Sequence, residues 1–186
     1  MKTAVIYQSK YGSTETYAQW IAADLGADLL QAKQISPAVL RQYDAIIYGG
    51  GLYAGGVSGL GQLTKNFESI RDKALFLFAV GASDMTDSVN VKAIRENLQK
   101  ALPPAMWEAA HVYCLRGGMF YSKMSLSHRM MMNMMIKMLR KKPESELRSD
   151  AKAMLETYGQ DSDFTDRETI VPLVADVRAA LAARQR

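Results

Sequence analysis

Two hydrophobic patterns alternate along the chain. Residues 3–8 ("TAVIYQ") form a short apolar run, after which Thr14, Tyr17, Ala18, Ile21, Ala22 and Leu25 recur at helical spacing, with Ser13 placed to cap and Gly26 to stop that helix. A weaker strand follows at "ADLLQA" (27–32), and a stronger one at "DAIIYGGG" (44–51). Leu60, Leu63 and Phe67 suggest a second helix, and "KALFLFAVGAS" (73–83) is a continuous apolar strand. Val91, Ile94, Leu98 and Leu102 mark a third helix, stopped by Pro103-Pro104, before a fifth strand at "AHVYCLRGG" (110–118). Near the C-terminus "TDRE" (165–168) has the form of a capping box, and Ile170, Leu173, Val174, Val177 and Leu181 give the last helix its apolar face. Strands without polar alternation belong to a sheet covered on both faces, and strands that alternate with helices imply parallel pairing with right-handed crossovers. The expected fold class is therefore α/β, a doubly wound parallel sheet in one domain over 1–186, interrupted by an insertion at 119–148.

Three of the strands end in small or hydroxyl residues: "QSKYGST", "YGGGLYAGG" and "VGASD". In a doubly wound sheet these carboxyl ends share one edge, and ligands bind there at the switch point in strand order. After the first strand, Ser9, Ser13 and Thr14 offer hydroxyls, Gly12 allows close approach, and a helix N-terminus offers free N–H groups, which together read as a phosphate cradle. Taken alone, Ser13 reads as a helix cap. A Walker A loop is absent, and the Gly-x-Gly-x-x-Ala match at Gly49, Gly51 and Ala54 follows a later strand in a glycine-rich run, which disfavours a dinucleotide site.

Composition narrows the chemistry further. At 186 residues and 48% hydrophobic content the chain can bury a sizeable core. The lone Cys114 excludes an internal disulfide and reads as an inert core thiol, which suits a reducing, cytoplasmic location. His111 and His128 lack the partner at i,i+4 that a helical metal motif uses, so no metal is expected. No apolar stretch is long enough to span a bilayer, and the N-terminus lacks the pattern of an export signal. The formal charge of +4 and pI near 9.1 favour anionic surfaces only weakly, and no nucleic-acid partner is expected.

With these elements in place, "SKYGST" resembles the phosphate loop of the flavodoxin superfamily, usually Ser/Thr-x-Thr-Gly-Asn-Thr. The resemblance covers the chain in order of elements and implies a five-stranded sheet of order 2-1-3-4-5 and flavin mononucleotide (FMN) as cofactor. It places the phosphate against Ser9, Lys10, Tyr11, Gly12, Ser13 and Thr14, and backbone groups of Gly50, Leu52, Tyr53, Ala82 and Ser83 near the flavin ring, in the loops at 49–55 and 81–84. Tyr11 stands where the family has a threonine and Ser13 where it has asparagine, which removes one phosphate hydroxyl. Tyr53 either stacks on the flavin or packs its own loop.

The insertion carries eight of the twelve methionines. Ser125 or Ser127 can cap a helix running to about Lys142, on which Arg129, Asn133, Lys137 and Arg140 form a narrow polar stripe while Leu126, Met130, Met131, Met134, Ile136, Met138 and Leu139 fill most of the rest. Three roles are open: packing on its own domain, a peripheral anchor on an anionic membrane (the inner face of the cell membrane) through Lys137, Arg140, Lys141 and Lys142, or an adaptable face for a redox protein, a second copy or a bulky hydrophobic substrate. Its placement, its "YSKMSLSHRMMMNMMIKMLRK" character and the later "FTDRETIVPLVADV" resemble the menaquinone-dependent protoporphyrinogen dehydrogenases and their uncharacterised flavodoxin-domain relatives. That resemblance implies oxidation of protoporphyrinogen IX with a quinone acceptor, with no catalytic side chain beyond the flavin. Arg116, Tyr121, Lys123 and Arg129 either meet propionates or a quinone headgroup or are ordinary solvated charges. The alternatives are a flavodoxin-like electron shuttle and an NAD(P)H-dependent quinone reductase, the latter needing a nicotinamide site that the sequence does not display.

Overall fold

The apolar runs become the middle of a sheet because helices cover both of its faces. In the computed structural model, which describes residues 1–53, 55–147 and 149–185, β1 (Thr3–Gln8), β3 (Ala45–Tyr53) and β5 (Ala74–Gly81) lie side by side and bury nearly every side chain. The parallel order is β2-β1-β3-β5-β6, with β2 (Asp28–Gln31) and β6 (Ala110–Arg116) at the edges. This is the expected five-strand order, with a sixth strand, β4 (Gly56–Val57), added by an antiparallel hairpin on the end of β3. The weak pattern of β2 reflects its exposed edge position, where the Asp28 carboxylate holds Lys2 at 3.1 Å and accepts from the Tyr43 hydroxyl.

α1 (Ser13–Leu25) and α8 (Val171–Arg184) cover one face and enclose Val5, Ile47, Phe76, Ile21 and Val177. On the other face α2 (Pro37–Leu40), α3 (Leu60–Lys65), α4 (Ser88–Ala101) and α5 (Pro104–Ala109) contribute to a second cluster around Ile46, Leu75 and Leu77. The expected second helix is short: α3 ends at Lys65 and Phe67 sits in a separate single turn. Pro103-Pro104 does end α4, but Pro104 also opens α5, since a proline loses nothing at the first helical position. "TDRE" does not form a capping box; Asp166, not Thr165, caps the turn Arg167–Ile170 by accepting from Glu168 N–H.

The helices of the insertion are α6 (Leu126–Leu139) and α7 (Ser149–Glu156). The excursion is longer than the expected 119–148, because Met119 and Ser162 exchange both backbone hydrogen bonds and close its base. Ala54, part of the Gly-x-Gly-x-x-Ala match, and Arg148, the last residue of the expected insertion, lie outside the described residues.

Candidate functional site

Four strand ends, those of β1, β3, β5 and β6, supply the loops from which the site is built. After β1 the chain turns through Ser9–Gly12 into α1, and Gly12 takes a φ of +109°, a conformation that side chains resist. Gly12, not Ser13, is therefore the residue before the first helical turn. The Ser13 hydroxyl does not cap α1; its oxygen accepts from Gly118 N–H at 2.9 Å, joining the loop after β1 to the loop after β6. The Ser9 hydroxyl oxygen accepts from Gly12 N–H at 3.1 Å and braces the turn from within. Thr14 is buried at the start of the helix, where the first N–H groups have no intrahelical carbonyl.

After β5 the loop is held by its own carboxylates. Asp84 accepts from both the backbone N–H and the hydroxyl of Thr86, which lowers its carboxyl below the usual range. Asp87 caps α4, and the amide of buried Asn90 donates to the Asp84 carbonyl at 2.9 Å. Ala82 and Ser83 are thus presented by a loop tied at three points.

These loops and the insertion enclose a cavity of about 470 Å³. Ser9, Tyr11, Ser13 and Thr14 line one part, Leu52, Tyr53, Ala82 and Ser83 a second, and Gly117 and Gly118 a third. Thioethers close the remaining side: Met119, Met124, Met131, Met132, Met135 and Met154, with the Phe120 ring. Ile94 and Asn97 reach it from α4. Among the described residues, no Asp or Glu lines the cavity.

Three of the expected site residues are not among those that line the cavity. Gly50 is inside β3, paired with Gln8 and Ala79, and a side chain there would meet Val57 at 2.3 Å, so its smallness serves the hairpin above it and not the cavity. Gly12 shapes the turn without lining the cavity. Lys10 is exposed, with its Nζ 3.3 Å from His128 Nε2. Arg116, Tyr121, Lys123 and Arg129 do not line the cavity either. Arg116 lies over the Phe164 ring, Lys123 over Phe120, and Arg129 donates to the Ser122 carbonyl, so these side chains secure the base of the insertion.

His128 is the residue that sequence reasoning missed. It projects from α6 into the cavity wall, its Nδ1 2.5 Å from the Tyr11 hydroxyl and its ring 5.9 Å from that of Tyr53. Tyr11 and Tyr53 meet edge to face at 6.0 Å, so the three rings form one cluster. Burial, reinforced by Tyr11, pushes the Tyr53 phenol up to about 12. A partial signal was present: His128 shares a helix face with Met132 and Ile136 at i, i+4 and i+8, although only the structure shows that this is the buried face. The Gly117-Gly118 pair was a second signal, a fourth strand end made of small residues. Cys114 is only half-buried, on edge strand β6, and burial raises its thiol, consistent with an unreactive group.

The donor set suits FMN. A phosphate monoester needs several hydrogen-bond donors and no nearby carboxylate, which the loop 9–14, the start of α1 and the acid-free lining provide. A planar ring needs an apolar slot with few polar groups, which Leu52, Tyr53, Val80, Ala82 and the thioethers provide.

A family model described as a flavodoxin domain matches residues 4–146. An uncharacterized protein of Methanocaldococcus jannaschii, MJ0298, is 29% identical over 102 residues, spanning 53% of this chain and 67% of that protein. Among solved structures, oxidised Flavodoxin 2 from Bacillus cereus aligns over 84% of this chain and 94% of its own at 16% identity and a TM-score of 0.44. A flavoprotein in complex with FMN from Lactobacillus acidophilus NCFM aligns over 62% and 91% at 14% identity and a TM-score of 0.43. With the family model spanning most of its length and the parallel order matching, the chain belongs to the flavodoxin domain family.

Proposed function

We propose that the protein binds FMN and is an oxidoreductase that accepts electrons from a hydrophobic reduced substrate and delivers them to a quinone. The observation that carries this reading is the cavity itself, hydroxyl-lined at the loop after β1 and walled by methionine on the side of the insertion. Bound FMN supplies the one- and two-electron chemistry, and the protein supplies binding, orientation and exclusion of water. Ser9, Ser13, Thr14 and the first N–H groups of α1 hold the phosphate. Leu52, Tyr53, Ala82 and Ser83 flank the ring, and the methionine wall adapts to an apolar partner of irregular shape. Protoporphyrinogen IX as donor and a menaquinone as acceptor are the specific pair we assign, supported by the sequence resemblance of the insertion and by that wall.

The test uses FMN-loaded protein without oxygen, protoporphyrinogen IX and a soluble menaquinone analogue, with free FMN as control. Porphyrin fluorescence rising above the control supports the assignment. A protein that holds FMN yet forms no porphyrin removes the porphyrinogen substrate.

The outer face of α6 favours a role in docking. Leu126, Met130, Met134 and Met138 are 82, 73, 59 and 55% exposed at i, i+4, i+8 and i+12, and Lys137, Arg140, Lys141 and Lys142 lie exposed at its C-terminal end. A thioether stripe beside a basic cluster suits an anionic bilayer, the phase in which quinones dissolve. None of the described helices is long and apolar enough to cross a membrane, so this contact is with the bilayer surface. The same stripe is the docking surface in the alternative reading, an electron shuttle that exchanges electrons with a redox protein.

A further inference from the structure

The direction of each hydrogen bond around His128 can be worked out from chemistry. An ammonium group only donates, so in the contact between Lys10 Nζ and His128 Nε2 the ring nitrogen accepts. A neutral imidazole with one accepting nitrogen carries its proton on the other, so His128 Nδ1–H donates to the Tyr11 hydroxyl oxygen. The Tyr11 hydroxyl is then an acceptor toward His128, and its own proton must point elsewhere. Among the described residues that hydroxyl has no further protein partner.

The same arrangement occurs twice more in the loop. Ser9 Oγ accepts from Gly12 N–H and Ser13 Oγ accepts from Gly118 N–H, so each hydroxyl has its oxygen engaged and its proton left to donate. All three residues line the cavity, where none of the described lining residues carries a carboxylate to receive those protons. Ser9, Tyr11 and Ser13 thus each keep a hydroxyl proton to donate into one cavity, and hydroxyl donors are what an anion recruits. We infer that His128 is a positioning residue for the flavin phosphate, passing the Lys10 donor to Tyr11 so that the Tyr11 hydroxyl proton is turned toward the phosphate held by residues 9–14.

This rests on the FMN reading and adds two things to it. Where the family has a threonine, Tyr11 offers a phenol at the end of a longer side chain, set by a residue of the insertion 117 positions away. The insertion then serves the phosphate end of the site as well as the apolar end.

The test compares FMN with riboflavin, which lacks the phosphate, by quenching of flavin fluorescence in the native protein and in the His128→Ala, His128→Asn and Tyr11→Phe variants. A lost hydrogen bond to a charged group corresponds to roughly a tenfold or greater loss of FMN affinity in His128→Ala and in Tyr11→Phe, with riboflavin affinity changed by less than about twofold. His128→Asn keeps an amide N–H near the place of Nδ1 and recovers most of the affinity. The two losses do not add in the double variant, because both residues act through one proton. Unchanged FMN affinity in His128→Ala and Tyr11→Phe overturns the inference, as does an equal loss for riboflavin, which marks a general packing role. A native protein that binds neither flavin overturns the FMN reading itself and this inference with it.

Discussion

At the scale of single residues, buried tyrosine hydroxyls connect distant parts of the chain. Tyr17, fully buried on α1, donates to the Arg116 carbonyl at 2.7 Å and accepts from Asp166 N–H at 3.0 Å, so one oxygen ties the end of β6 to the start of the C-terminal segment. Tyr17→Phe leaves both backbone groups without that partner and is expected to cost about 1–3 kcal/mol, read from the midpoint of denaturant unfolding. Tyr53 yields a pH prediction. Its phenol is raised to about 12 chiefly by burial, so the folded protein retains a proton that the unfolded chain releases above the ordinary value of 10.0. The native state then binds more protons, and stability falls as pH rises from 10 through about 12. Tyr48 and Tyr113 are raised in the same sense, mainly by burial. Unfolding midpoints across that range should fall less steeply in Tyr53→Phe than in the native protein; parallel slopes contradict the shift.

At the scale of elements, α6 shows what periodicity can and cannot reveal. The polar stripe is a real feature of the helix but not simply a solvated face: the Asn133 amide oxygen accepts from the Tyr158 hydroxyl, and Arg140 lies over the Tyr158 ring. Ser125 caps the helix as one of two expected candidates, accepting from His128 N–H. The wide apolar arc is divided. Met132 and Ile136 are buried while Met130 and Met134 are exposed, and composition alone treats all four alike. Ile136→Ala is expected to cost about 2–5 kcal/mol through the cavity it leaves, whereas Met130→Ala should change stability by less than about 0.5 kcal/mol. Thermal melts separate the two variants. Co-sedimentation with anionic phospholipid vesicles should show the opposite ranking, with Met130→Ala binding less and a bound fraction equal to native counting against the membrane face.

At the scale of the whole molecule, the cavity joins four strand ends to an excursion that closes on itself between Met119 and Ser162. A ligand in the cavity touches the sheet edge and α6 together, so FMN should slow amide hydrogen exchange in α6 as well as in residues 9–14 and 82–87. Protection confined to the loops would show that α6 moves independently of the bound flavin.

The strand-helix alternation, the buried middle strands and the small residues at strand ends are legible in the sequence, because each is written in contiguous residues whose period or bulk limits the local backbone. For the same reason Ser9, Tyr11, Ser13 and Thr14 are assignable from their order in the chain to the turn after β1 and the start of α1. Gly50 falls inside β3, as the strand expected at 44–51 requires, but the hairpin packed on it is not legible there, because a glycine run carries no sign of what lies above it. What only the tertiary structure decided are the contacts between residues far apart in the chain. Ser13 to Gly118 spans 105 positions, Tyr11 to His128 spans 117, and Met119 pairs with Ser162 across the whole excursion. No local pattern encodes such pairs; they form when the sheet brings its carboxyl ends to one edge and the insertion folds back over them.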